Sequence, residues 1–438
     1  MAKITFLGAG STVFAKNVLG DCMCVESLRG STIALYDIDA QRLEDSRRML
    51  ENLNAQLGAV MVIKPYLGPE RRKAALKGAH YVVNAVQIGG YRPSTVIDFE
   101  VPKKYGLRQT IADTLGIGGI FRALRTVPVL LEFARDMEKV CPEALLLNYS
   151  NPMAMNMMGI LRGSSIRAVG LCHSVEGCAP TLLRHFGITA EKLNWKVAGI
   201  NHQAWLLEVK DGDRDLYPEI KAAYRKAAAE GTLPKWDLVR LELMNRFGYY
   251  VTESSEHSAE YTPWFIKSRY PELIQEFNIP LDEYLRRCER QIEGWAKMRD
   301  DLVNNKTLTH RRSHEYASYI IEAVETNRPF KFGGNVMNRG LITNLPAKAC
   351  VEVPCLVDRN GILPCVIGDL PEPCAALNRT NINPQILTVE AILTGRKEHV
   401  YQAALLDPHT SAELSIADTI RLCDDLFEAH REMIPPLN

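Results

Sequence analysis

A thiol and an imidazole stand side by side in Leu171-Cys172-His173-Ser174, and a second imidazole follows in Gly199-Ile200-Asn201-His202. A thiolate with an imidazole makes a ligand pair for a divalent cation, and a pair that leaves positions open suits a catalytic ion. The plainer alternative is a buried cysteine beside a hydrogen-bonded histidine. Between Glu253 and Trp264, three carboxylates, His257, Tyr261 and an indole share twelve positions, a density expected of a substrate-facing loop. Tyr261 can serve as a general base only where its pKa is depressed, which a neighbouring cation achieves. Packing of Tyr261 and Trp264 is the competing use. His310 and His314 are four residues apart and could ligate a metal from one helical face, but they lack the glutamate of His-Glu-x-x-His and enclose Arg311 and Arg312, so a solvated basic surface is expected there.

Asn148-Tyr149-Ser150-Asn151-Pro152 ends an apolar run with two amides, able to meet a nicotinamide or sugar hydroxyls, or simply to cap a helix. Asp113 opens a glycine-dense stretch reaching Arg122, whose backbone either lines a ligand or relieves a crowded corner. Lys3–Leu7 is an apolar strand that runs into Gly8-Ala9-Gly10-Ser11, the start of a dinucleotide fingerprint. The first glycine permits the tight turn, and the second lets a pyrophosphate approach main-chain N–H groups at the next helix. Val13 stands in place of the third glycine, so helix and strand are expected to pack further apart. Asp37 closes a second apolar run and offers a carboxylate to a ribose diol, at a spacing slightly above the usual value of about 20 residues.

The elements needed to hold these groups are legible as alternating strands and helices. Strands are predicted at Lys3–Leu7, 33–36, 61–63, 81–86, 144–148 and 166–171, with helices over 39–57, 69–77 and 120–140 between them. Six strands in this rhythm imply an α/β fold with an N-terminal Rossmann-like, doubly wound parallel sheet. Beyond Pro180 the pattern loosens, with short antiparallel strands expected over 344–373 and helices over 384–433, broken at Gly395 and Asp407-Pro408. The expected organisation is a dinucleotide-binding domain over 1–180 and an α+β substrate and oligomerisation lobe over 181–438. Lys plus Arg (52) balances Asp plus Glu (52), and no apolar run is long enough to cross a bilayer, so neither nucleic acid nor a membrane is expected as partner. Eleven irregularly spaced cysteines without a secretory apolar segment point to a reducing, cytoplasmic setting.

Gly8-Ala9-Gly10-Ser11, Ile88-Gly89-Gly90-Tyr91, Thr110–Thr114, Gly118–Thr126, Asn151-Pro152, Gly170–Ser174, Gly199–His202, Asn344-Leu345-Pro346 and Val351–Pro354 together resemble glycoside hydrolase family 4 almost end to end. Within it, Gly170–Ser174 and Thr252–Phe265 resemble the bacterial melibiose-type α-galactosidases. The resemblance implies NAD⁺ and a divalent metal, usually manganese, with Cys172 and His202 as ligands, Asn151 on the sugar and Tyr261 as base. Asn148 joins Gly8, Gly10, Ser11 and Asp37 on the cofactor side. His173 replaces the aspartate of the phospho-glycosidase branch, which leaves the general acid between His173 and Asp113. The implied chemistry oxidises sugar C3, removes the C2 proton, eliminates the aglycone, adds water and returns the hydride. Other family specificities are the alternatives: α-glucosidase, α-galacturonidase and 6-phospho-α-glucosidase. A hydroxy-acid dehydrogenase and a non-catalytic NAD sensor are more distant ones. A homodimer or homotetramer is expected from the same resemblance.

Overall fold

Parallel strands covered on both faces read as continuous apolar runs, and this is how the first half of the chain folds. A computed structural model describes residues 1–438. In it β1 (Lys3–Leu7), β2 (Thr32–Asp37), β3 (Val62–Leu67), β4 (Tyr81–Asn84), β5 (Leu145–Asn148) and β6 (Arg167–Leu171) run parallel in the spatial order β3-β2-β1-β4-β5-β6. The order reverses between β1 and β4, which places a crevice at their carboxyl ends. Asp39 caps the helix Ala40–Leu57 by accepting from the Arg42 N–H, and left-handed Gly58 ends it.

Two local expectations fail. The helix expected over 69–77 shrinks to a single turn at Pro69–Arg71 and a helix of five residues, Arg72–Leu76. Val13 does not wedge helix from strand: its side chain is 43% exposed, and Ala9, Thr12 and Ala15 form the buried contact instead.

The second half extends the same sheet. β7 (Leu193–Ile200), β8 (Gln203–Asp211), β9 (Arg214–Asp215), β10 (Tyr250–Val251), β11 (Phe330–Met337), β12 (Cys350–Asp358) and β13 (Gly361–Pro364) are antiparallel additions. They continue from β6 in the order β11-β12-β7-β8-β10, making one sheet of 13 strands. β12 and β13 fall inside the antiparallel segment expected from sequence. The β7–β8 hairpin and β11 lie outside it, because Asn194, Lys196 and Lys210 give the hairpin a wet face and Gly333-Gly334-Asn335 interrupt the apolar pattern of β11.

The C-terminal helices begin earlier than expected, at Glu372, and Pro384 lies inside the first of them. Left-handed Gly395 and the Asp407 cap, which accepts from the Thr410 N–H, produce the two expected breaks. The helix Glu372–Thr394 packs back on Gly116–Val140 and Met153–Gly163 beside the parallel sheet. No helix is long and apolar enough to cross a membrane, and all eleven cysteines are free thiols.

Candidate active site

Cys172 follows β6 directly, and His202 occupies the two-residue turn between β7 and β8. His202 holds a left-handed backbone (φ 62°), a conformation in which histidine is enriched among non-glycine residues, so the turn itself aims the ring. The short helix Ser255–Glu260 brings Glu253, His257 and Tyr261, four residues apart each, to the same place. Ligand atoms of Cys172, His202 and Glu253 all lie within 4.8 Å of one another, as do those of Asp113, His202 and His257. A thiolate, imidazoles and carboxylates in one cluster suit a borderline divalent cation.

The groups of the cluster act on one another's charges. Burial works to lower the His202 pKa, but Glu253, Cys172 and Asp113 outweigh it and push it up to about 10. Burial raises the Glu253 carboxyl, and His202 and His257 more than reverse this, holding it below its ordinary value. His202 Nε2 lies 3.5 Å from Glu253 Oε2, and Nδ1 lies 3.3 Å from the Tyr261 hydroxyl. Tyr261 is fully enclosed, and burial together with Asp113, Glu260 and Glu253 keeps its phenol protonated in the ion-free chain.

A cation held by His202 would have to displace its proton, and this would set the pH dependence. The folded chain holds that proton more tightly than an ordinary imidazole between pH 6.5 and about 10. The stabilisation it gives the metal-free fold is complete below pH 6.5 and is lost as pH rises through this window. Manganese affinity should therefore climb with pH there, by roughly tenfold per unit while one proton is displaced. Calorimetric titrations at pH 6.5 and 8.5 check this, and equal affinity at both would contradict it.

The other predicted residues divide. Asp113 is buried, accepts from the Thr114 hydroxyl at 2.8 Å and from the Asn151 amide at 3.3 Å, and so joins Asn151 to the cluster. Gly118 and Gly119 make room for its loop: a Cβ on either would come 2.6 Å from the Ala112 or Thr114 backbone. The crowded-corner explanation is thus the right one for these glycines. His173 is 58% exposed, stacks against Tyr149 and Tyr316, and meets Glu315 at 2.7 Å, a hydrogen bond that raises its pKa. Asn148, read as a cofactor contact, is fully enclosed. It accepts from Asn84 at 2.7 Å and donates to the Ser150 carbonyl at 3.1 Å, and so ties β4 to β5 instead of facing a ligand.

At the crevice, Gly8 is left-handed (φ 86°) and so close to β4 that a Cβ would lie 2.9 Å from the Ala85 carbonyl. Asp37 accepts from the Gly10 N–H at 2.5 Å and from Ile38 and Asp39, which fixes its carboxylate at the rim. Ser11 is exposed at the start of the helix Thr12–Met23, whose first turn carries no acidic side chain. A glycine turn, a free helix N-terminus and a rim carboxylate fit a dinucleotide.

Two segments depart from expectation. Of the three carboxylates between 253 and 264, only Glu253 reaches the cluster. Glu256 pairs with Arg287, and Glu260 accepts from the Thr110, Ile111 and Ala112 N–H groups while burial raises its pKa to about 7. His310 is not solvated. It lies in a loop and meets buried Asp21 at 2.6 Å, while His314 alone is exposed. Sequence reasoning missed Glu253 and His257 as site residues, although their spacing from Tyr261 carried the signal. It also missed Arg122, a buried cation with no carboxylate within ion-pair distance, which lies over the Tyr284 ring at 5.6 Å.

The fold and site fit a dinucleotide-binding enzyme whose strand ends carry a cluster able to hold a metal ion. Residues 3–188 match the family 4 glycosyl hydrolases and residues 197–410 match the C-terminal domain of that family. The chain belongs to glycoside hydrolase family 4. It is 62% identical to an alpha-galactosidase of Bacillus subtilis (strain 168), over 99% of both chains. It is 34% identical to an alpha-galactosidase of Rhizobium meliloti (strain 1021), over 99% of this chain and 89% of that one. The fold is shared with a 6-phospho-alpha-glucosidase from gut microorganisms solved in complex with NAD and Mn2+, at TM-score 0.81, 22% identity and full coverage of both chains.

Proposed function

We propose that this protein hydrolyses unphosphorylated α-galactosides by the redox-assisted route of its family, with NAD⁺ and Mn²⁺ as cofactors. The 62% identity to an alpha-galactosidase across 99% of both chains carries the choice of sugar. Family 4 is an NAD-dependent exception to two-carboxylate glycoside hydrolysis, which is a property of the family and not of this geometry. Gly8, Gly10, Ser11 and Asp37 would hold the dinucleotide, and Cys172 and His202, with Glu253, the metal. The dinucleotide supplies reversible hydride acceptance at sugar C3, and the metal supplies positive charge for the anion formed at C2.

The chain's own groups do the rest. Asn151, held by Asp113, presents its remaining amide valences to the sugar hydroxyls. Tyr261 takes the C2 proton. Its phenol is kept neutral first by burial and then by the carboxylates around it, and the latter are the charges a bound cation would neutralise. His173, kept protonated by Glu315, delivers a proton to the departing glycosidic oxygen. Residues 1–180 serve the cofactor and 181–438 the sugar and self-assembly, as a cytoplasmic homodimer or homotetramer.

A panel of nitrophenyl α-galactoside, α-glucoside, α-galacturonide and 6-phospho-α-glucoside, assayed with NAD⁺ and Mn²⁺, tests the specificity. Fastest turnover of the galactoside is expected, and a faster phosphorylated or uronic substrate would move the enzyme to another branch. His173→Ala should slow melibiose by roughly 10²–10⁴ while slowing the nitrophenyl galactoside far less, since nitrophenolate leaves without a proton. Equal losses on both substrates would remove His173 from the acid role.

A further inference from the structure

β6 and β7, whose ends carry Cys172 and His202, are not neighbours: β11 and β12 lie between them. Three strand spacings of about 4.8 Å put them roughly 14 Å apart. Yet ligand atoms of Cys172 and His202 come within 4.8 Å of each other. β11 and β12 pair with each other at eight positions, but their junctions with β6 and β7 are sparse. β6 meets β11 through Gly170–Asn335 and Leu171–Gly334, and β7 meets β12 through the single pair Gly199–Glu352.

Side chains supply the missing cross-links. Glu352 Oε1 accepts from Asn335 Nδ2 at 2.9 Å and from Asn201 Nδ2 at 3.3 Å, and Asn335 Nδ2 also reaches the Gly170 carbonyl at 3.4 Å. Glu352, Asn335 and Asn201 are all fully enclosed, and Glu352 lies between Val351 and Val353 on a strand whose one other charged residue is the terminal Asp358. A carboxylate placed there costs more than an aliphatic side chain of the same size, so packing does not explain it. Asn201 directly precedes His202, and Gly170 stands two residues before Cys172.

We propose that Glu352 is a positioning residue: through Asn335 and Asn201 it grips the strands on either side and sets the approach of Cys172 to His202. This rests on the metal reading given above. Supporting hydrogen bonds of this kind are worth about 10–100-fold in metal affinity.

The test is titration of the full-length, NAD-loaded protein with Mn²⁺, following the paramagnetic resonance signal of free ion and recording thermal midpoints alongside. Glu352→Leu is expected to weaken Mn²⁺ binding by roughly 10–100-fold with NAD⁺ affinity unchanged. Glu352→Gln keeps a carbonyl oxygen for both amides and should retain most of the wild-type affinity. Wild-type affinity in Glu352→Leu overturns the proposal, and so does a loss in Glu352→Gln as large as that in Glu352→Leu. Should Glu352→Leu fail to fold, Asn201→Leu and Asn335→Leu each cut one arm and should cost about tenfold. Unchanged affinity in both overturns the clamp. Cys172→Ser is titrated in parallel: undiminished Mn²⁺ affinity there overturns the metal reading itself, whereas loss there with none in the Glu352 variants overturns only the clamp.

Discussion

Cys172→Ser is expected to abolish hydrolysis while leaving the fold and NAD⁺ binding intact. The thiol is partly buried, with Ser174 Oγ 3.2 Å from its sulfur. Serine keeps the volume but does not ionise near neutral pH, so the cation loses its soft anionic ligand. Manganese affinity should fall by more than about 100-fold, beyond what loss of a supporting hydrogen bond costs. The residues proposed for the dinucleotide, Gly8, Gly10 and Asp37, follow β1 and β2 and are not among the cluster's ligand groups, so NAD⁺ should bind as before. Equilibrium dialysis with manganese and fluorescence titration with NADH measure both quantities. Wild-type manganese affinity would remove Cys172 from the metal's ligands.

Tyr261→Phe should lower kcat by roughly 10²–10⁴, the usual contribution of a positioned base. The phenol lies 3.3 Å from His202 Nδ1, so the variant separates two roles. A base lost without change in manganese affinity appears as a kcat effect with KM nearly constant. A phenol that merely orients His202 appears as weakened manganese binding, with activity restored by excess metal. We expect the first pattern, and metal rescue would assign the second role instead.

The parallel half of the fold was readable because its inner strands are short apolar runs, with nearly every residue of β1, β2 and β4 buried, whereas the edge strand β3, with Lys64 and Pro65, runs past the expected 61–63. Gly8 and Asp37 were readable for the same reason: both terminate such runs. The antiparallel half was harder, since β11 contains two glycines and an asparagine and its role is to bridge β6 to β12, a long-range relation that no local pattern encodes. Cys172 and His202 could be named as residue types, but the spacing between them says nothing of two intervening strands. Asn148 resembled Asn151 in sequence. Only the pairing of β4 with β5 turns one inward to Asn84 and leaves the other beside Asp113. His310 misled because the nearby arginines suggested solvent, whereas Asp21, far away in sequence, draws the ring inward.

The oxidation–elimination route makes one demand that direct displacement at C1 does not: the hydrogen at sugar C2 must leave. Complete hydrolysis of melibiose by the NAD⁺- and Mn²⁺-loaded enzyme in D₂O, followed by proton NMR of the released galactose, reads this directly. The account predicts deuterium at C2 of the galactose. Galactose carrying only protium at C2 after full turnover would contradict it.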